Sequence, residues 1–209
     1  MKVLTKKNLL AYKDFTSRVV FHGLVLLLPV NLGLHFLANE AYVKGKLIDY
    51  LVPTLYLQDI LVIILVLLNI GRIIRYFKRT DKFLWWFLFA IFLSALGSSL
   101  FILSLTSFLR TLFYVLLMFY IKSTLNTEED LVGFVKTAAV TVIFLSILAS
   151  LQWRNQGSVF DNYLFFGEQP YTLGTPGINI ENYFGVSRVP PYATFRHPNI
   201  FAGYLCLLL

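Results

Sequence analysis

The sequence predicts an all-α integral membrane protein with five complete transmembrane helices and the start of a sixth, in one polytopic domain over residues 1–209. Three observations carry that reading. Hydrophobic residues make up 57% of the chain and charged residues 14%, which leaves too little polar surface to solvate a soluble globule of this length. The apolar residues gather into runs near the roughly 20 residues that span a hydrocarbon core as helix. Between the runs the basic residues stand in short clusters, so the formal net charge of +7 reads as a topology signal rather than as a nucleic-acid-binding surface.

The first apolar segment runs from about Val19 to Leu37, behind Lys2, Lys6, Lys7, Lys13 and Arg18. It is too long for a signal-peptide core and lacks a small-residue cleavage site, so it is expected to stay as a helix. A second span covers about Leu55 to Ile74, and Arg72, Arg75, Lys78, Arg79 and Lys82 gather at its end. Between Phe83 and Ile121 the only charged residue is Arg110. That stretch is about twice one span and predicts a helical hairpin over 83–101 and 105–121, turning within Gly97 to Ser107. After the polar loop Lys122 to Asp130, Thr127 followed by Glu128, Glu129 and Asp130 suits a helix start. The fifth span is expected over Leu131 to Leu151.

Past this span the chain is polar and interrupted by glycine and proline, too irregular to lie exposed in lipid. Residues 152–198 are therefore expected to form a loop outside the membrane. A sixth helix starts near Asn199, with Pro198 in its first turn. It has too few residues before Leu209 to cross a bilayer, so the chain is expected to be one part of a longer protein. Cytoplasmic loops are enriched in Lys and Arg, and the two largest basic clusters, five residues each, fall on one side of this arrangement. That side is read as cytoplasmic, with the N-terminus, which puts the long loop at the external face. Cys206 is the only cysteine, which excludes a disulfide framework and a cysteine-based metal site.

The segment Gly185 to Leu205, GVSRVPPYATFRHPNIFAGYL, concentrates the chemistry. Arg188 and Arg196 each offer a planar fork of donors suited to phosphate oxygens, His197 can donate or accept a proton, and a helix start adds partial positive charge. Such a site favours an anion. The same arginines could equally hold lipid headgroups or snorkel at the interface, and His197 reads more simply as a surface histidine than as a base. Asp59, at the head of the second span, is either a functional acid or a helix cap. Arg110 is either an anion ligand or a snorkelling side chain. His22, Asn31 and His35 read as helix-packing polar groups. Aromatics such as Trp153, Tyr163, Phe165, Phe166, Tyr171, Tyr183, Phe184 and Tyr192 read mostly as an interfacial belt, with sugar stacking as the alternative.

The run Arg188, then Ala193-Thr194-Phe195-Arg196-His197-Pro198-Asn199, then Ala202-Gly203-Tyr204-Leu205 resembles the O-antigen ligase and O-antigen polymerase superfamily. The family pattern has an arginine, Gly-Thr-Phe, a variable residue, often His or Asn, then Pro-Asn and a small-residue helix start. Here Ala193 stands where glycine is usual, and Pro190 and Pro191 lengthen the gap from Arg188, the residue assigned the family arginine's place. Pro53 and the Leu57-Gln58-Asp59 entry to the second span are also similar. The resemblance covers about the N-terminal half of the family's usual chain.

It implies a GT-C-like fold and a metal-independent, inverting glycosyltransferase at the outer face of the cytoplasmic membrane. The implied partners are a polyprenyl-diphosphate-linked glycan and membrane lipids, with no cofactor. Arg188, Arg196 and His197 are the implied diphosphate-binding residues, and Asp59, Arg110 and Asn199 possible further substrate contacts. The catalytic base, a histidine in the family, is expected beyond Leu209. The alternatives are a transporter or flippase for an anionic or lipid-linked substrate, and a non-catalytic membrane scaffold.

Overall fold

The computed structural model describes residues 6–36, 41–44, 46–48, 51–77 and 82–208. Lys2, Lys78 and Arg79 of the basic clusters, Leu37 at the end of the first expected span, and Leu209 lie outside the described residues. In chain order the elements are helix α1 (Lys6–Leu27), strands β1 (Gly33–His35), β2 (Tyr42–Val43), β3 (Lys46–Leu47) and β4 (Thr54–Tyr56), helices α2 (Leu57–Phe77), α3 (Lys82–Leu96), α4 (Phe101–Thr124) and α5 (Glu128–Asn155), strands β5 (Glu181–Tyr183) and β6 (Val186–Arg188), and helix α6 (Pro198–Leu208). The protein is mostly helical, with three short antiparallel ladders, β1–β4, β2–β3 and β5–β6, among the described residues.

Among the described residues three helices are long and apolar enough to cross a membrane: α2 over Leu57–Tyr76, α4 and α5. The five complete spans expected from hydropathy are thus not all present as long apolar helices among the described residues. Two local causes account for the difference. The first helix begins at Lys6 and stops at Leu27, because Pro29 has no N–H to continue the ladder and disfavours helical backbone at the residue before it. The apolar residues that follow form β1 instead, pairing Gly33 with Tyr56 and His35 with Thr54. In the hairpin, α3 ends at Leu96, giving 15 residues, or about 22 Å of helix, short of the roughly 30 Å core. The turn is brief, with Ser98 Oγ accepting from the Leu100 N–H at 3.2 Å and from the Ser104 hydroxyl at 2.7 Å.

The chain forms two compact units. The first comprises residues 1–24 and 33–131, where α4 packs against both α2 and α3. Inside it Asn69 is 1% exposed and interrupts α2 with non-helical backbone at φ −118° and ψ 16°. Its amide donates to Ser17 Oγ and to the Leu65 carbonyl, both at 2.9 Å. An asparagine side chain that bonds its own helix in this way competes with the backbone ladder and bends it. The tie to Ser17 joins α1 to α2, and an ion pair between Arg72 and Asp14 at 2.9 Å repeats the link one turn further on.

The second unit comprises residues 25–32 and 132–209. α5 starts, at residues 127–130 of the first unit, on a reciprocal cap: the Asp130 N–H donates to Thr127 Oγ1 at 3.2 Å, and the Thr127 N–H donates to Asp130 Oδ2 at 3.4 Å, satisfying donors that the helix leaves open. The later turns of α5 and the first turns of α6 enclose a core of Leu145, Leu148, Ala149, Ala193 and Phe201. A second core joins Tyr171, Val189 and Tyr192. The segment between the two helices folds back on residues 29–31. Thr194 Oγ1 donates to the Pro29 carbonyl at 2.5 Å, the Tyr163 hydroxyl donates to that of Asn31 at 2.5 Å, and Gly167, at φ +77°, lies against the Asn31 backbone.

Candidate functional site: the start of helix α6 and the segment before it

Two buried side chains that hydropathy does not single out organise residues 156–197. Gln152, in the last turn of α5, is 1% exposed and Glu168 is fully buried. The Gln152 amide donates to Glu168 Oε1 at 2.6 Å and to the Ala193 carbonyl at 3.0 Å, while its oxygen accepts the N–H groups of Tyr192 at 3.1 Å and Ala193 at 2.7 Å. Glu168 also accepts the N–H groups of Val159 at 2.8 Å and Phe160 at 2.7 Å. Buried polar backbone of an irregular segment needs partners of this kind, since leaving each group unsatisfied costs about 1–3 kcal/mol. The pair therefore holds two distant stretches of chain, 159–160 and 192–193, against one helix end.

That anchoring sets the backbone of the segment resembling the family motif. Ala193 adopts φ +50°, a left-handed conformation that favours glycine, and its methyl lies in the α5–α6 core. Thr194 is fully buried. Phe195 packs on Phe201 and Tyr204, with ring centroids 5.8 and 5.3 Å apart. These three residues build the junction. Arg196 is half-buried, and His197 and Asn199 are exposed.

His197 precedes Pro198 at the α6 start, and its Nδ1 accepts the Asn199 N–H at 3.2 Å. It thus caps the helix, occupying one of the donors that a bound anion would otherwise use. Its ring also lies 6.3 Å from that of Tyr192.

Arg188 lies on β6, paired with Glu181 across the ladder. Its guanidinium lies 5.1 Å from the Trp153 ring centroid, a cation–π placement, and Trp153 meets Tyr183 edge-on at 5.0 Å. The Tyr183 hydroxyl donates to Glu181 Oε2 at 2.9 Å, and that bond to a carboxylate holds its phenol above the ordinary tyrosine range. The phenol of Tyr171 is also pushed up, chiefly by burial. At the hairpin tip Phe184 and Gly185 both take positive φ, +52° and +87°, as a two-residue turn with matching twist requires.

In the first unit the structure brings Asp59 and Arg110 together. Arg110 donates through Nη2 to Asp59 Oδ2 at 2.9 Å and through Nε to Oδ1 at 3.2 Å. Nη2 also bonds the Thr54 carbonyl, and the guanidinium lies 5.2 Å from the Tyr56 ring centroid. Asp59 Oδ2 accepts the Tyr56 N–H at 3.0 Å, so it is both the cap of α2 and the counter-ion of Arg110. Neither residue's sequence neighbourhood indicates the other, because 51 positions separate them.

Among the described residues no group of three or more histidine, cysteine, aspartate or glutamate side chains could hold a metal ion. Comparison with protein-family models, with curated proteins and with solved structures finds no match to this chain.

Proposed function

We propose that this chain functions in a membrane glycosyltransferase of the O-antigen ligase and polymerase type, with the start of α6 as part of the site for a polyprenyl diphosphate. The observation that carries the reading is the division of labour in residues 193–199. Ala193, Thr194 and Phe195 are packed into the junction, whereas Arg196 is half-buried and His197 and Asn199 are exposed at the start of a helix whose N-terminus is positive. The left-handed backbone of Ala193 further supports the resemblance, because the family pattern has glycine at that position.

In this reading Arg196, with Arg188, neutralises the charge that builds on the departing diphosphate as the glycosyl bond breaks. A general base removes the proton of the acceptor hydroxyl. His197 serves as a cap beside the diphosphate rather than as that base. The N-terminus would face the cytoplasm, and residues 152–198 the outer surface of the cytoplasmic membrane.

The test is the complete protein carrying Arg188→Ala and Arg196→Ala, supplied with a polyprenyl-diphosphate glycan and followed by product analysis. Loss of glycan joined to acceptor by about 100-fold or more is expected for removing transition-state charge partners. Unchanged product would exclude this site. Glycan moved intact across the membrane would instead support the transporter reading, which the break in α2 at Asn69 favours, since transporters place such breaks near their substrates.

A further inference from the structure

We propose that residues 160–167 form a re-entrant aromatic wedge, whose outward side chains lie in the acyl-chain layer of the bilayer beside α5. Phe160, Leu164, Phe165 and Phe166 are all exposed, Leu164 at 78%. They nevertheless form one cluster, with the Phe165 ring 4.4 Å from that of Phe160 and 5.4 Å from that of Phe166. Phe166 joins the cluster to α5 through Phe144, at 5.1 Å between ring centroids. Phe144 in turn borders an exposed apolar stripe of Val140, Ile143, Ile147 and Leu151, whose spacing puts them on one helix face. Since α5 is long and apolar enough to cross a membrane, the wedge continues the surface that this helix offers to lipid.

Position along α5 separates this wedge from an interfacial belt. Belt aromatics gather at helix ends, where Trp153 stands beside Arg154. Phe144 lies nine residues earlier, about 14 Å back along the axis, so the ring of Phe166 is set beside the apolar body of the helix. An irregular segment fits there where its backbone is satisfied from within. The N–H groups of Val159 and Phe160 donate to the Glu168 carboxylate at 2.8 and 2.7 Å, and that of Leu164 to Asn162 Oδ1 at 2.9 Å. Those of Phe165, Gly167 and Glu168 donate to the carbonyls of Asn162, Tyr163 and Phe165 at 2.9, 3.0 and 3.1 Å. Asp161 is the one charged residue of 160–167. It accepts from the Ser158 hydroxyl at 3.2 Å and lines a polar cavity with Asn155, Gln156 and Thr172. The charge is thus turned to a polar recess while the apolar side chains adjoin the α5 stripe, the two-sided arrangement that insertion into lipid requires.

The experiment is spin labelling of the full chain in vesicles of phosphatidylcholine and phosphatidylglycerol, with Cys206→Ser removing the single cysteine. A new cysteine is placed in turn by Leu164→Cys, by Ile147→Cys on the α5 stripe, and by Gly174→Cys, where an added Cβ meets open space. Relaxation of each label by oxygen, which concentrates among acyl chains, is compared with relaxation by a water-soluble nickel chelate. The label at Leu164 should behave as that at Ile147, responding to oxygen and losing the nickel response that the label at Gly174 keeps. A nickel response at Leu164 equal to that at Gly174 would put the segment in water and overturn the proposal. Spin–spin broadening at Leu164 that disappears on dilution with unlabelled chain would show that a second copy covers this face, and would overturn it as well. A second measurement uses the unaltered chain: a diazirine carried midway along a phospholipid acyl chain should label residues 160–167 on illumination. Labelling of α5 without labelling of 160–167 would equally refute insertion.

Discussion

Replacing Gln152 with alanine should release the whole segment that precedes α6. The side chain makes four hydrogen bonds from a position 1% exposed. Truncation leaves the N–H groups of Tyr192 and Ala193 without their acceptor, and removes one donor each from the Ala193 carbonyl and the Glu168 carboxylate. Taking only the two N–H groups, at about 2 kcal/mol each, the local cost is about 4 kcal/mol. At about 1.4 kcal/mol per decade, amides closed by this network should open about 10³-fold more often. Hydrogen exchange read by mass spectrometry on the detergent-solubilised chain measures this directly, with peptides covering 159–160 and 192–193 as reporters and the middle of α4 as an internal control.

Gln152→Glu supplies a second perturbation, acting through charge rather than truncation. It keeps the volume and the acceptor for the Tyr192 and Ala193 amides, but it sets a second carboxylate where an amide donor now stands 2.6 Å from Glu168. It should therefore also accelerate exchange, and most strongly around residues 159–160, which Glu168 holds. If Gln152→Ala exchanged within about threefold of wild type at both reporters, the network would not be what closes this segment, and the argument built on it would fail.

Gly167→Ala should destabilise the second unit by about 2 kcal/mol or more, seen as a lower unfolding midpoint: the backbone there has φ +77°, and an added Cβ would lie 2.7 Å from backbone atoms of Asn31. Alkaline stability should depend on Tyr171, whose phenol is held above its ordinary value mainly by burial. The unfolded chain ionises first, near pH 10, so the stabilisation is complete below that pH and is lost as the pH rises toward the folded-state value. Tyr171→Phe should flatten that decline in unfolding midpoints measured above pH 10.

The elements that the sequence reveals best are those governed by local rules. The apolar runs behind α2, α4 and α5 give helices because a continuous 20-residue run leaves the backbone one way to satisfy itself in lipid, and the caps at Thr127 and Pro198 follow from residue type. Where hydropathy alone is used it misplaces α1. A window average is blind to the proline at position 29, and Lys6 to Arg18 join the helix although they are too polar for a span. The pairing of β1 with β4 then takes apolar residues that the average would assign to helix. The Asp59–Arg110 pair and the Gln152–Glu168 network are illegible for another reason: each is a non-local match between polar residues that look ordinary in their own neighbourhoods. The one available signal is that Gln152 continues an apolar helix and Glu168 follows a glycine in an aromatic loop, positions where a polar side chain needs a partner if buried.

The same distinction bears on how the Ala193–Asn199 motif should be interpreted. A short pattern that recurs among membrane enzymes invites a catalytic role for each of its residues, yet here the chemistry of the side chains divides them. Thr194 and Phe195 face inward and their hydroxyl and ring are spent on Pro29 and on α6, so their loss would act through the shape of the junction. His197 uses Nδ1 as a helix cap, which a short side chain with an acceptor oxygen could replace; this agrees with a pattern that tolerates either His or Asn just before the Pro-Asn step. Arg196 is half-buried just before the α6 start, where the helix dipole disfavours a cation. A guanidinium beside a positive helix N-terminus suits an anion, and Arg196 is the residue through which the proposed diphosphate site is tested most directly.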